Sequence, residues 1–202
     1  MNITQKILFA VNKIILKFIK VNDPWEMFQS KIPLRVFGPG AIHDFSWYFK
    51  GISNVKVDKM EDIVEWLSGC TYEDDYHIFR EIDNWQHPSL FEKIRKGDCE
   101  DHALWAWRKL IELGIESYFV CGYLKNEDII DYSKRHAWVQ FNLRGTEYLM
   151  ETTEKDKKKA ISFLNQAKEK YIPEFAVNPN FQKYIYMGFL KAQQDRIKVK
   201  KK

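Results

Sequence analysis

Cys99 is the residue of this sequence best placed to act as a nucleophile. It lies in the run GDCEDHALWAWRKLIELG, which reads as a helix opened by Asp98 as N-cap and closed by Gly114. Asp101 sits at the reciprocal capping position, so Cys99 falls in the first turn. On a helical wheel it shares a face with Ala103, Ala106, Trp107, Leu110 and Ile111 and points inward. A thiol attacks only as thiolate, a form favoured by a helix N-terminus and by a nearby imidazole. His136, on a later strand-like run, can be that imidazole and serve as general acid and base. Such a histidine needs a third group to fix its tautomer and orientation. Glu151, on the next strand, can supply it. Nucleophile, base and acid thus follow one another on helix, strand and strand.

The surroundings of Cys99 oppose its ionisation. Asp98, Glu100 and Asp101 crowd it within four residues, and like charges raise a thiol's pKa. Capping can absorb Asp98 and Asp101, but Glu100 faces inward with no such role. An oxyanion hole needs a second donor besides the Cys99 backbone N–H. The Trp85 indole and the Gln86 amide, just upstream, are the candidates, and spacing does not choose between them. Cys70 and Cys121 read as small buried hydrophobes. Zinc held by Cys99, His102, Cys121 and His136 is disfavoured, because zinc sites space their ligands more tightly and in pairs.

The elements that must position these residues are legible from periodicity. Apolar spacing predicts helices over Asp58–Leu67, Tyr72–Ile82 and from Pro88 to about Lys96. In the second of these, Glu73, Asp74 and Asp75 fall in the first turn and suit the helix dipole. Strands are expected at Ser117–Leu124, Arg135–Leu143 and Thr146–Thr152, the last two joined as a hairpin through Arg144-Gly145. Along the middle strand Ala137, Val139 and Phe141 take one face, and His136, Trp138 and Gln140 the other. A helix is expected over Asp156–Lys170 and another over Phe181–Gln194, with a disordered tail from Arg196. Residues 22–55, broken by Pro and Gly, read as an irregular wrap.

The chain has 202 residues and a net charge of +4. Its 45% hydrophobic and 30% charged content excludes wholesale disorder and collagen-like structure. Three cysteines exclude a disulfide scaffold and fit a reducing compartment. The charge is partitioned: residues 1–25 carry +3, residues 26–149 carry −6 and residues 150–202 carry +7. The basic pI therefore describes the ends, and no nucleic-acid partner is expected of the middle. Residues 1–20 read as a basic amphipathic helix suited to a partner helix or a membrane surface. Lys13 and Lys17 interrupt the apolar stretch a signal peptide needs, so a cytoplasmic location is expected. The expected organisation is a basic helix over 1–22, a catalytic domain over 23–175, and a helical extension with a basic tail over 176–202.

The run GDCEDHALWAWRKLIELGIESYFVCGYL, followed by RHAWVQF and YLMETT, resembles the transglutaminase-like superfamily of papain-type thiol enzymes. The stretch DNWQHPSLFEKIRKGDCEDHA further resembles the bacterial transglutaminase-like cysteine proteinases, which share the G-D-C-E-D core and carry W-x-x-P upstream. The match spans Asp83 to Thr153. It implies an α+β fold with a papain-like, transglutaminase-like core: a Cys-bearing helix packed on an antiparallel sheet, here with added N- and C-terminal helices. It also implies a Cys99-His136-Glu151 triad working through a thioester on a protein or peptide substrate. A protease or amidase is the expected activity. The alternatives are a transglutaminase-type acyl transferase and a non-catalytic interaction domain that keeps the fold. No cofactor is required. In the proteinases, carboxylates matching Asp98 and Glu100 take part in a calcium site, and carboxylate oxygens suit that ion. Two departures stand out. Glu151 replaces the usual Asp, and His136-Ala137-Trp138 replaces the proteinases' H-M-V.

Overall fold

The computed structural model describes residues 11, 14–16, 18–30, 43–126, 129–132 and 134–199. The chain forms, in order, β1 (Met27–Gln29), a 3-10 turn (Phe45–Phe49), α1 (Met60–Ser68), β2 (Thr71–Tyr72), α2 (Asp75–Phe79), α3 (Pro88–Ile94), β3 (Lys96–Gly97), α4 (Cys99–Glu112), β4 (Ser117–Asn126), β5 (Ile129–Ile130), β6 (His136–Leu143), β7 (Thr146–Met150), β8 (Ile161–Phe163), α5 (Leu164–Ala167), β9 (Tyr171–Val177), β10 (Lys183–Tyr186) and α6 (Met187–Val199). An antiparallel sheet runs β1-β10-β9-β4-β6-β7-β8, with β5 paired to the end of β4. This is the α+β arrangement expected, a Cys-bearing helix laid on an antiparallel sheet.

The sheet is covered on both faces, and β6 shows why. Ala137, Val139 and Phe141 join the larger core with Cys99, Ala103, Ala106, Trp107 and Leu110 of α4. Trp138 belongs to a second core with Trp25, Val120, Leu149, Leu164 and Tyr171. Strand alternation thus feeds both cores. Every residue of α4 from Cys99 to Leu110 is buried, because α1, α3 and the 45–57 wrap cover the side turned from the sheet. The two buried cations of this helix are both matched. Arg108 pairs with Glu112 and donates to the carbonyls of Tyr48, Lys50 and Gly51. Lys109 meets Glu92, Glu112, Ser53 and the Val55 carbonyl. Buried ions held this way cost little only while every partner is present. These contacts make the irregular wrap a fixed wall of the core.

Three stretches depart from their local pattern. Asp156–Lys170, read as a helix, is a turn, then β8, then the four residues of α5. Ile161, Ser162 and Phe163 pair with Met150, Leu149 and Tyr148, and this sheet edge overrides a helical spacing that one turn satisfies equally well. β9 has no sequence signal, because all seven of its residues are buried and alternation vanishes when both faces are covered. The helix expected from Phe181 begins only at Met187, after β10 has paired with β9 and β1. The Tyr72–Ile82 helix shrinks to α2, closed by Arg80 in the left-handed region. Of the amphipathic leader, residues 11, 14–16 and 18 are described and helical. The rest of it lies outside the described residues, as do 200–202 of the tail. Gln194 of α6 holds the leader's backbone at Leu16 (2.7 Å) and Ile19 (2.8 Å). Among the described residues no helix is long and apolar enough to cross a membrane.

Candidate active site

β3 pairs in parallel with β2 and delivers the chain into α4 through Asp98. Gly97 must be glycine here. A Cβ at this position would stand 2.3 Å from Asp101 Oδ2 and 2.8 Å from Gln86 Nε2. That crowding exists because Gln86 is bound tightly to Asp101. Its backbone N–H donates to Oδ1 at 2.7 Å, its side-chain amide donates to Oδ2, and the same amide reaches the Lys96 carbonyl at 3.0 Å. Asp101 is therefore a bracket for the segment before α3 and not a capping residue. Asp98 holds the N-cap position but makes no capping hydrogen bond with its side chain. Capping does not absorb these acids.

Cys99 occupies the first position of α4, is 8% exposed, and donates its thiol to Glu100 Oε2 at 3.2 Å. Burial pushes the thiol pKa well up, and Glu100 and Asp98 push it further. One oxygen each of Asp75, Asp98 and Glu100 come within 4.8 Å of one another. Burial, the largest cause, raises Asp98 to about 7 and Asp75 to about 6, with the surrounding acids adding to it. Glu100 is raised as well, by burial and then by Asp98 and Asp101. Asp75 Oδ1 and Asp98 Oδ1 are buried with no hydrogen-bond partner among the described residues. This is the one cluster of metal-ligating side chains among the described residues, so the set Cys99, His102, Cys121 and His136 is not brought together. Instead His102 Nδ1 lies 2.8 Å from the Asp98 carbonyl and its Nε2 lies 3.5 Å from Lys155 Nζ. Burial lowers its pKa to about 4, so it stays neutral.

The other half of the site stands at the ends of β6 and β7. His136 Nε2 is 2.7 Å from Glu151 Oε2. The same oxygen accepts the Tyr171 hydroxyl at 2.8 Å. Oε1 accepts both the Thr153 hydroxyl, at 2.7 Å, and the Thr153 backbone N–H, at 3.1 Å. These donors overcome a large desolvation cost and hold the Glu151 carboxyl down at about 2. With Nε2 engaged, Nδ1 is the imidazole nitrogen left for another partner.

Cys99 and His136 approach through their neighbours. Cys99 packs in the same core as Ala137 and Cys121. Ala137 follows His136 and pairs with Cys121, and His136 itself pairs with Gly122. No hydrogen bond joins thiol and imidazole: the thiol is held by Glu100, and the imidazole ring stands beside Trp138 and Tyr171. Of the upstream donors, Gln86 is committed to Asp101 and Lys96. Trp85 packs against Phe45 and Phe119 with no hydrogen bond to its indole N–H among the described residues. Two members of the site carry no motif of their own. Asp75 reads from sequence only as a helix-dipole partner, and Tyr171 lies on the strand that has no local signal.

The sequence pattern of the transglutaminase-like superfamily matches residues 48–168, the span that holds the thiol, the imidazole and the clamped carboxylate. The chain belongs to that superfamily. Its shape is similar to three solved structures of LapG from Legionella pneumophila. The calcium-bound form aligns at 18% identity and TM-score 0.46, over 59% of this chain and 64% of that one. A second LapG structure aligns at 18% identity and TM-score 0.48, over 70% and 76%. The EGTA-treated form aligns at 19% identity and TM-score 0.44, over 59% and 61%. The chain thus spans less than two thirds of the calcium-bound and EGTA-treated chains. No curated protein matches it in sequence.

Proposed function

We propose that the protein is a cysteine-dependent hydrolase that cleaves amide bonds of a protein or peptide through a thioester. The observation that carries this reading is the His136 Nε2–Glu151 Oε2 contact. That carboxylate is already saturated by Thr153 and Tyr171, so the ring has its tautomer set and Nδ1 left over, one residue from Ala137, which belongs to the same core as Cys99. Cys99 Sγ attacks the carbonyl carbon as its proton passes to His136 Nδ1. The tetrahedral oxyanion is held by the Cys99 backbone N–H, with the Trp85 indole as the second donor. Collapse breaks the C–N bond, and the His136 proton goes to the departing amine. Water then attacks the thioester, His136 takes a proton from it, and the acid product leaves with the thiol restored.

The raised thiol is the obstacle to this cycle, and the acid cluster is its remedy. Orphaned buried oxygens on Asp75 and Asp98, beside Glu100, fit a hard cation such as calcium. These three carboxylates are the residues that would hold it, two of them matching the positions anticipated from sequence. A bound divalent cation supplies positive charge beside the thiol, and that favours the thiolate. Glu100 turned to such a role no longer accepts the thiol proton.

The test is labelling with iodoacetamide near pH 6.5 followed by peptide mapping, with calcium and with chelator. Cys99 should label faster than Cys70 or Cys121, and faster still with calcium. Equal labelling of all three cysteines in both arms, or a Cys99→Ala protein that keeps full hydrolase activity, ends this reading.

A further inference from the structure

Glu151 stands where the superfamily pattern carries aspartate, and its extra methylene adds a torsion that must be fixed. Thr153 fixes only Oε1, from two residues along the same chain. With that oxygen alone pinned, the carboxylate can still swing Oε2 away from the imidazole. The second pin comes from elsewhere in the fold. Tyr171 sits on β9, beyond the residues that match the superfamily pattern, and places its hydroxyl 2.8 Å from Oε2. Its ring is held edge-on against Trp138 at 5.1 Å and stands 6.5 Å from the His136 ring. β9 reaches this position through a register shift at Cys121/Gly122. A Cβ on Gly122 would lie 2.1 Å from the Ile172 carbonyl and 2.8 Å from the Trp138 ring. Any side chain there would push away the strand that carries Tyr171. Gly122 and Trp138 therefore support Tyr171 behind the carboxylate, and Tyr171 alone of the three lies beyond the residues that match the superfamily pattern.

We propose that Tyr171 is a positioning residue. Its hydroxyl holds Glu151 Oε2 in line with His136 Nε2, and so keeps the imidazole proton on Nε2 and leaves Nδ1 free to accept the thiol proton. The assignment rests on the Cys99-His136-Glu151 reading, but it concerns the imidazole directly and is read without turnover. A tyrosine that only filled space would do its work through the ring, and the hydroxyl would be dispensable.

The experiment uses the full chain with nitrogen-15-labelled histidine. Long-range proton–nitrogen spectra, recorded above the His136 titration, give the tautomer in the wild type, Tyr171→Phe, Glu151→Asp and the double variant. The Cys99 alkylation rate with iodoacetamide is measured alongside. The wild-type ring should carry its proton on Nε2. Tyr171→Phe should give a mixture of tautomers and slow Cys99 alkylation by about tenfold, the scale of one charge-assisted hydrogen bond. Glu151→Asp draws the carboxylate back from the hydroxyl, so adding Tyr171→Phe to it should change little. Wild-type tautomer and rate in Tyr171→Phe overturn the proposal, as does a fully additive double variant. Should Tyr171→Phe fail to fold, the Tyr171 hydroxyl proton of the wild type decides: one that exchanges with water too fast to be observed is not held by Glu151 and overturns the proposal equally. The two readings separate cleanly. A slow wild-type Cys99 with a tautomer that shifts in Tyr171→Phe defeats the nucleophile and supports the positioning role. A fast Cys99 with an unmoved tautomer does the reverse.

Discussion

Glu151 and the acids around Cys99 are all withdrawn from solvent, yet burial leaves the first a firm anion and drives the others toward protonation. The difference is the supply of donors. Four hydrogen bonds converge on the two Glu151 oxygens, and the carboxyl titrates at about 2. Asp98 and Asp75 each keep a buried oxygen without a partner among the described residues, and they titrate near 7 and 6. All three carboxyls lose water on folding, and that loss is the strongest single influence on each, so position in the fold does not distinguish them. A carboxylate that the protein satisfies by itself is built to hold something still. A set left unsatisfied is what the proposed cation would complete. The proposed site pairs one of each.

Breaking the satisfied half should produce the largest effect. Glu151→Gln keeps the shape and removes the charge that orients His136. Amide hydrolysis should fall on the order of 10³-fold or more, as when the orienting carboxylate of a serine triad is replaced. The measurement is kcat/KM, and a fall below tenfold would show that His136 is oriented by something else. The same carboxylate should also appear in acid stability. It titrates at about 2 when folded against about 4.5 free, so between those values the unfolded chain binds more protons than the native one. Its contribution is complete above about pH 4.5 and drains as the pH falls toward 2. The total is roughly 3 kcal/mol at about 1.4 kcal/mol per pH unit. Urea denaturation at pH 6 and pH 2.5 reads it, and Glu151→Gln should flatten that slope.

The unsatisfied half should respond with the opposite sign. Asp98 titrates at about 7 when folded against 3.8 free, so the native state binds the extra proton between those values. Without a cation, stability should therefore decline as the pH rises from about 4 to 7, and Asp98→Asn should show a smaller decline, the remainder coming from Asp75 and Glu100. Calcium should reverse the picture at pH 8. An ion at a hundred times its Kd stabilises the native state by about 2.7 kcal/mol, and Asp98→Asn should lose that response. Thermal melts with calcium and with EGTA check both points. Equal calcium shifts in the wild type and the variant would place the ion elsewhere or nowhere.

The contrast between the halves also explains what could be read from sequence. The thiol, imidazole and carboxylate were legible because each sits on an element with a clear period: α4, β6 and the end of β7. Asp98 and Glu100 were legible as a crowd of charge, but Asp75 was not, because its approach depends on how the short α2 folds back beside β3. The same holds for Gln86, whose amide is available on spacing alone and is taken by Asp101 in the fold. Tyr171 escaped for a different reason. β9 is buried on both faces and interrupted by Pro173, so neither alternation nor propensity marks it. Motifs report residues on elements that carry their own sequence signal. They are silent on those, like Tyr171, whose strand carries none.

Thr153 offers the smallest and most discriminating change, because it touches one oxygen of the satisfied carboxylate and leaves the other alone. Its hydroxyl and its backbone N–H both donate to Glu151 Oε1. Thr153→Val removes the hydroxyl at nearly constant volume and keeps the N–H. Oε1 then has one donor where it had two, and Oε2 still has His136 and Tyr171. One net hydrogen bond is worth about 1 kcal/mol, and that is the expected loss of stability at pH 6. It should shrink toward pH 2.5 as the Glu151 carboxyl protonates and no longer needs the donor. Thr153→Ser keeps the hydroxyl and should lose little at either pH. If Val costs nothing at pH 6, the hydroxyl contributes nothing, and any loss in Ser measures the packing of the methyl group alone. If Val costs as much as Glu151→Gln, the four donors do not act as separable supports and the carboxylate holds as a single unit.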